Sequence, residues 1–378
     1  MTTVRVNRKG AGRVASGHPW IFASDVTERG AAEPGSTVTV ADPSGRSIGT
    51  AHYSSTSQIT LRMLGGPIPD AIKRATRYRA SVVAGTDAWR VVHAEGDQLP
   101  GLIVDKYGDF LCIQLLSQGM DRARDDIAAT LDGLFAPRAI VARNDAAVRK
   151  LESLPVEKTV LRGAVDGPAE VRMNGFRWRV DLLEGQKTGI YLDQRENYVS
   201  AAGYARGRAL DCFASTGGFA IHMAARCDSV EAIDSSAPAL ETALANAGAN
   251  AIANIEFRQA DVFEQLAAYS HARRRFDTIV LDPPAFAKSR SAVEGAARGY
   301  RDINFRALRL LEPGGTLVTC SCSHHLSEAA LLEIVAEAAL QAGRTLRVVE
   351  RRTQSRDHPI LLTVPETHYL KCLILQAG

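Results

Sequence analysis

A chain of 378 residues is too long for one typical hydrophobic core, so two or three domains are expected. Its 46% apolar and 23% charged residues are ordinary for a soluble globular protein, and no apolar run reaches membrane-spanning length, so no membrane partner is expected. The net charge of +3, from 45 Lys+Arg against 42 Asp+Glu, permits nucleic-acid binding without demanding it.

The opening M-T-T-V-R-V-N-R-K-G lacks a signal-peptide core. Six cysteines, at 112, 212, 227, 320, 322 and 372, form no C-x-x-C pair, and reduced thiols in the cytoplasm are the expectation. Up to about Gly66 the chain is rich in glycine and β-formers. Thr37-Val38-Thr39-Val40, the turn Asp42-Pro43-Ser44-Gly45 and Ser47 to Tyr53 predict a hairpin in a small β-rich domain, 1–66. Ahead of it Arg5, Arg8, Lys9 and Arg13 precede Gly17-His18-Pro19-Trp20-Ile21-Phe22. Basic residues beside aromatics suit RNA, where phosphates give affinity and rings stack on bases; Phe22 reads better as core.

A second unit, 67–185, reads as α+β. It opens with a helix from Ala71 to Val83. Leu102 to Leu115 is strand, Tyr107-Gly108-Asp109 turn, strand; Asp121 to Phe135 is helical; Ala139 to Arg143 returns to strand; Asn174-Gly175 turns a hairpin. Nothing in this unit has acid/base or metal-ligand spacing, so it reads as a positioning domain. The following Gly185-Gln186-Lys187-Thr188-Gly189 does not meet G-x-x-x-x-G-K-[ST], so it is not a phosphate cradle.

The third unit, 186–378, carries the chemistry. Ala209-Leu210-Asp211-Cys212-Phe213 leads into the small-residue turn Ala214-Ser215-Thr216-Gly217-Gly218 and then a helical pattern from Phe219. Glycines let the backbone approach a ligand, and a helix start offers unpaired N–H groups. The glycines are adjacent rather than spaced G-x-G-x-x-G, and an acid ends the strand, which suits a cationic or neutral ligand better than a pyrophosphate. Four more strands follow: Val230 to Asp234, Ile255 to Asp261, Phe276 to Leu281 running into Asp282-Pro283-Pro284-Ala285-Phe286, and Thr316 to Cys320 running into Ser321-Cys322-Ser323. Ser327 caps a helix to about Ala342. Leu346 to Val349 and Tyr369 to Leu375 are too close for a helical crossover and should pair antiparallel.

Ligands of open α/β sheets sit outside the carboxyl ends of the strands, where all these special residues lie. The array resembles a class I S-adenosylmethionine-dependent methyltransferase. The fold implied is α/β: a seven-stranded Rossmann-like sheet with an antiparallel end hairpin, preceded by the β-rich and α+β domains. The resemblance implies an S-adenosylmethionine site built from Asp211, Phe213, Ala214, Ser215, Thr216, Gly217, Gly218, Asp234, Ser235, Asp261, Val262 and Asp282. Lys187, Thr188 and Tyr191 would close one wall, and Asp234 would take the ribose hydroxyls.

Two prolines after Asp282 hold the backbone rigid, so that Asp282, Pro283, Pro284 and Phe286 can face a planar base. In enzymes that methylate exocyclic amines an aromatic follows the two prolines directly; here Ala285 intervenes. Carbon-5 of a pyrimidine needs a thiolate on carbon-6 before it can attack a methyl sulfonium. Cys322, just past a strand end, is placed to supply it, while Cys320 inside the strand reads as a small core residue. Cys320, Cys322, His324 and His325 match no standard zinc framework, and no metal is expected.

Gly-His-Pro-Trp-Ile-Phe, Leu-Pro-Gly-Leu-Ile-Val-Asp with Tyr-Gly-Asp, Glu-Gly-Gln-Lys-Thr-Gly-Ile-Tyr-Leu-Asp-Gln-Arg, Leu-Asp-Pro-Pro-Ala-Phe, Gly-Tyr-Arg-Asp-Ile-Asn and Ser-Cys-Ser follow one order along nearly the whole chain. Together they resemble the bacterial large-subunit (23S) rRNA cytosine-5 methyltransferases with an N-terminal PUA domain. The resemblance implies RNA docking on the first domain, with Arg5, Arg8, Lys9 and Arg13 as contacts, and a nucleophile at Cys322; a homodimer is allowed. The doublet His324-His325 and the extra Cys320 depart from the family pattern and leave the target base open. Two rivals stand beside this reading: a uracil-5 or guanine-directed RNA methyltransferase on the same fold, and a non-catalytic RNA-binding protein.

Overall fold

The computed structural model describes residues 1–286 and 293–378. They form two compact bodies. One holds residues 1–175, 180–192 and 356–367, the other residues 176–179, 193–355 and 368–378.

In the first body a six-stranded sheet runs in the order Trp20–Phe22, Ile59–Met63, Ser47–Tyr53, Thr37–Ala41, Thr3–Val6, Val26–Glu28. The predicted hairpin is present, with Thr37 opposite His52 and Val40 opposite Gly49. Alternation buries one face: Val4, Val6, Val38, Val40, Ala51 and Leu61 are wholly inaccessible. The basic stretch is not all extended, because Arg8–Ala15 is a helix whose N-cap Asn7 accepts from the Gly10 N–H at 2.8 Å. Its glycines hid it from a propensity reading, yet Gly10 is where the helix touches the sheet: a Cβ there would lie 3.1 Å from Asp25 and 3.3 Å from Ile21.

A five-stranded sheet in the same body runs Glu157–Gly163, Ala139–Asn144, Phe110–Leu115, Leu102–Tyr107, Ala88–His93. Helix Ile68–Val82 covers it. The segment expected as one helix from Asp121 is two, Gln118–Arg122 and Arg124–Phe135, because Ser117 caps the first. Asn174 and Gly175 both take positive φ, 55° and 85°, as the predicted turn requires.

The second body is built on a seven-stranded sheet in the order Ile255–Gln259, Ser229–Asp234, Arg208–Cys212, Phe276–Leu281, Leu311–Ser321, Lys371–Ala377, Leu346–Arg352. The first five are parallel; Lys371–Ala377 pairs antiparallel with Leu346–Arg352, as the short connection predicted, and also with Leu311–Ser321. The order of crossovers reverses between Arg208–Cys212 and Phe276–Leu281. That switch point opens a crevice at the carboxyl ends of those two strands.

Two of the boundaries that differ from expectation bear on the site. The third strand stops at Gln259, where it pairs with Asp234, and Asp261 instead caps the helix Val262–His271 by accepting from the Glu264 N–H. The fifth strand is Leu311–Ser321 rather than 316–320. The Pro313-Gly314-Gly315 turn signal is absorbed where its register with Phe276 and Thr278 shifts. Among the described residues no helix is long and apolar enough to cross a membrane.

Candidate functional site

At the switch point the chain leaves the strand at Cys212 through Phe213 (φ 64°), Ser215 (φ 48°) and Gly217 (φ 88°) before helix Gly218–Ala224. Three positive φ values within five residues turn the backbone sharply, and only one falls on a glycine. Most helices after strands of this sheet are capped by their own N-cap side chain: Ser236, Asp261 and Ser327 each accept from the N–H three residues on. Helix Gly218–Ala224 has no such cap. Its Ala220 N–H is taken by Asp211 Oδ2 at 2.9 Å, so the strand-end acid binds the helix start.

That leaves Asp211 in an unusual state. It is wholly buried, and its Oδ1 has no hydrogen-bond partner. Burial pushes its carboxyl well above the usual range; the Ala220 bond opposes this, and the carboxylates of Asp282 and Asp234 add to it. Ser215 Oγ is also buried without a partner. Three carboxylates and two orphaned oxygens therefore ask for positive charge and donors.

Asp234 is half-buried and accepts one backbone N–H on each oxygen, from Ser215 at 2.9 Å and Ser236 at 2.8 Å. Each oxygen keeps a lone pair for a hydroxyl donor. Ser235 is exposed beside it, while Val262 is buried in the core of this body. Thr216 O accepts from Asn246 Nδ2 at 3.2 Å, which fixes the turn to the next helix. S-adenosylmethionine, with its ammonium, sulfonium and ribose diol, fits this donor-hungry set.

Lys187, Thr188 and Tyr191 belong to the first body. There the Thr188 hydroxyl donates to Asp105 Oδ2 at 2.6 Å, and the Lys187 ammonium lies 4.4 Å from the centre of the Tyr191 ring. The four cations of the first domain are unequal. Arg5 pairs with Glu28; Arg13 pairs with buried Asp25 at 3.2 Å and covers the Phe22 ring; Lys9 lies 4.0 Å from the same Asp25. Arg8 is exposed and has no ion pair among the described residues.

Past the neighbouring strand end, Asp282 Oδ2 accepts from Gln194 Nε2 at 3.0 Å. Pro283 is buried and Pro284 exposed, while the Phe286 ring packs 4.7 Å from Tyr300 and 6.2 Å from Phe263. Tyr300 ties this loop to the next one: its hydroxyl accepts from Ser321 Oγ at 2.9 Å and lies 3.1 Å from Ser323 Oγ. Cys322 stands between those two serines and is half-buried. Cys320 is inaccessible, sits opposite Cys372 in the ladder, and its thiol is pushed well up by burial and by Cys372. Of the two, Cys322 alone combines exposure with a loop position. Among the described residues no three His, Cys, Asp or Glu side chains are placed to hold a metal.

Three residues escaped sequence reasoning. Gln194 and Tyr300 carry no periodic signal. Lys371 does, as a lone lysine in the apolar run Tyr369 to Leu375. It is buried, and its Nζ donates to Ser323 O at 2.7 Å and Tyr369 O at 2.9 Å. The two histidines that follow this turn, His324 and His325, are both exposed.

Comparison with known proteins places these features in context. Residues 4–65 match the PUA-like domain pattern, and residues 142–375 match the S-adenosylmethionine-dependent methyltransferase pattern. The chain is 40% identical to the ribosomal RNA large subunit methyltransferase I of Shewanella amazonensis, over 94% of each chain. It is 38% identical to the protein of that name from Tolumonas auensis, over 100% of this chain and 99% of the relative. Among solved structures, a methyltransferase complexed with SAH covers 100% of both chains with a TM-score of 0.85 at 18% identity, which is a likeness of fold.

Proposed function

The chain belongs to the S-adenosylmethionine-dependent methyltransferase family, and on that premise we propose that it methylates carbon-5 of a cytosine in large-subunit (23S) ribosomal RNA, in the cytoplasm, with Cys322 as transient nucleophile. The observation that carries this is the contrast between half-buried Cys322, in the loop after the strand beside Asp282, and sealed Cys320.

Bound S-adenosylmethionine supplies an electrophilic methyl group. The chain supplies the rest. Asp211, Ser215 and the turn to Gly218 hold the cationic end, and Asp234 holds the diol. Asp282 and the rigid Pro283-Pro284 orient the base. The Cys322 thiolate adds to C6, forming a C–S bond and pushing the pair of the C5–C6 double bond onto C5, which takes the methyl group. Transfer of the C5 proton to water then restores the double bond and expels the thiolate. Arg8, with Arg5, Lys9 and Arg13 near it, is the first-domain patch for RNA phosphates.

RNA containing 5-fluorocytosine tests the reading, because a fluorine at C5 blocks the elimination. The wild type and Cys320→Ala should accumulate a covalent protein–RNA adduct and Cys322→Ala should not. An adduct that depends on Cys320 moves the nucleophile there. No adduct from the wild type, or methyl recovered on uridine or guanosine by nucleoside mass spectrometry, removes the cytosine C5 chemistry.

A further inference from the structure

Lys371 opens a strand whose other buried residues are all apolar, and it is 2% exposed. A buried ammonium needs an anion or a full set of acceptors. It has two acceptors, both backbone carbonyls: Ser323 O at 2.7 Å and Tyr369 O at 2.9 Å. No carboxylate lies within ion-pair distance of it among the described residues. Its titratable neighbours are Cys322 and Glu328, and Glu328 already faces Arg351 at 3.6 Å. The remaining group whose ionisation would balance the ammonium is the Cys322 thiol.

The placement follows from the ladder. Lys371 is directly opposite Ser321, so its side chain reaches the turn that carries Cys322. On the other side, Tyr300 bonds Ser321 and Ser323, so the loop is held from two elements.

We propose that Lys371 is a positioning residue for the transfer: its ammonium anchors the Ser321-Cys322-Ser323 loop and stabilises the thiolate of Cys322. This rests on Cys322 being the nucleophile. Burial draws the lysine down to about 8, while Cys322 and Glu328 draw it back up, so below that pH it is charged. The other titratable groups around the thiol are Tyr300 on the helix Val293–Leu310, Glu328 at the start of the helix Glu328–Gln341, and His324, whose ring lies 5.5 Å from that of Tyr369. None of these brings a buried positive charge.

The test is the pH profile of Cys322 alkylation by iodoacetamide on the full chain, read by peptide mass spectrometry. Lys371→Gln keeps an N–H for Ser323 O and loses the charge; it should raise the inflection by about one pH unit and slow alkylation at pH 7 about tenfold. Lys371→Arg should keep the inflection near that of the wild type. Unchanged S-adenosylmethionine affinity by calorimetry certifies folding of each variant. An inflection that stays in place in a folded Lys371→Gln overturns the proposal, as does a profile altered only in Lys371→Met, which would make the lysine a prop. The nucleophile reading fails separately, if Cys322→Ala still methylates RNA, and that result leaves the alkylation profiles intact.

Discussion

The Ala220 N–H donates to Asp211 Oδ2 at 2.9 Å, and the other oxygen of that carboxylate is buried without a partner. One atom of the acid therefore builds the turn and the other is left for a ligand. The same burial that raises the Asp211 carboxyl makes its ionisation depend on what enters the crevice.

Asp211→Asn separates stability from binding. A carboxyl raised in the folded state contributes stability below its unfolded value, and that contribution is lost as pH climbs through the folded value. The ligand-free Asn variant should therefore melt about 2–4 °C above the wild type near neutral pH, with a gap that widens as the pH rises above the ordinary carboxylate range. Its affinity for S-adenosylmethionine should fall. Thermal scans across pH, with and without the cofactor, check both; a gap that narrows on raising the pH contradicts the assignment.

Asp234→Ala should weaken S-adenosylmethionine binding by about 1.5–3 kcal/mol, the worth of a charge-assisted bond. The loss also frees the Ser215 and Ser236 N–H groups that the carboxylate now holds. Titration calorimetry measures it, and an unchanged affinity takes Asp234 out of the site.

Gly218 has no room for a side chain, because a Cβ there would overlap the Tyr198 ring. Tyr198 is itself fixed edge-on to Phe219, with ring centres 4.8 Å apart, and packs against His222. Gly218→Ala should cost about 1–3 kcal/mol in chemical denaturation and reduce cofactor affinity, as expected of overpacking. Tyr198→Leu in the same chain should recover part of the stability; no recovery would place the clash elsewhere.

Within the first domain, Arg8→Ala should weaken RNA binding and lower the salt slope by about 0.7–0.9. Arg13→Ala should act differently. It strips an ion pair from Asp25, which is 1% exposed, and should cost about 1–3 kcal/mol of stability. Filter binding over a salt series and thermal melts of both variants distinguish the roles. Equal salt slopes for Arg8→Ala and wild type would remove Arg8 from the RNA face.

Much of the second body was legible because its signals are local. Alternation and apolar runs mark strands, and Ser236, Asp261 and Ser327 act as caps through atoms only three residues away. Where an element depends on a distant partner the reading slipped. The fifth strand continues through Pro313-Gly314-Gly315 because Leu311 pairs with Phe276 and Thr316 with Thr278 on either side of it, and helix Arg8–Ala15 forms on glycines because Gly10 is packed on Ile21 and Asp25.

The amino-acid sequence by itself determined which residues end the parallel strands, since a strand, its turn and the next helix start are written in neighbouring residues. Asp211, Asp234 and Asp282 follow from that. Only the tertiary structure decided their states and partners: that Asp211 keeps an unpaired oxygen, that Gln194 reaches Asp282, that Cys320 is sealed against Cys372 while Cys322 is open, and that Lys371 stands opposite Ser321. Those pairings join residues 50 to 88 positions apart. Their geometry is set by sheet register and burial, which no local pattern of side chains encodes.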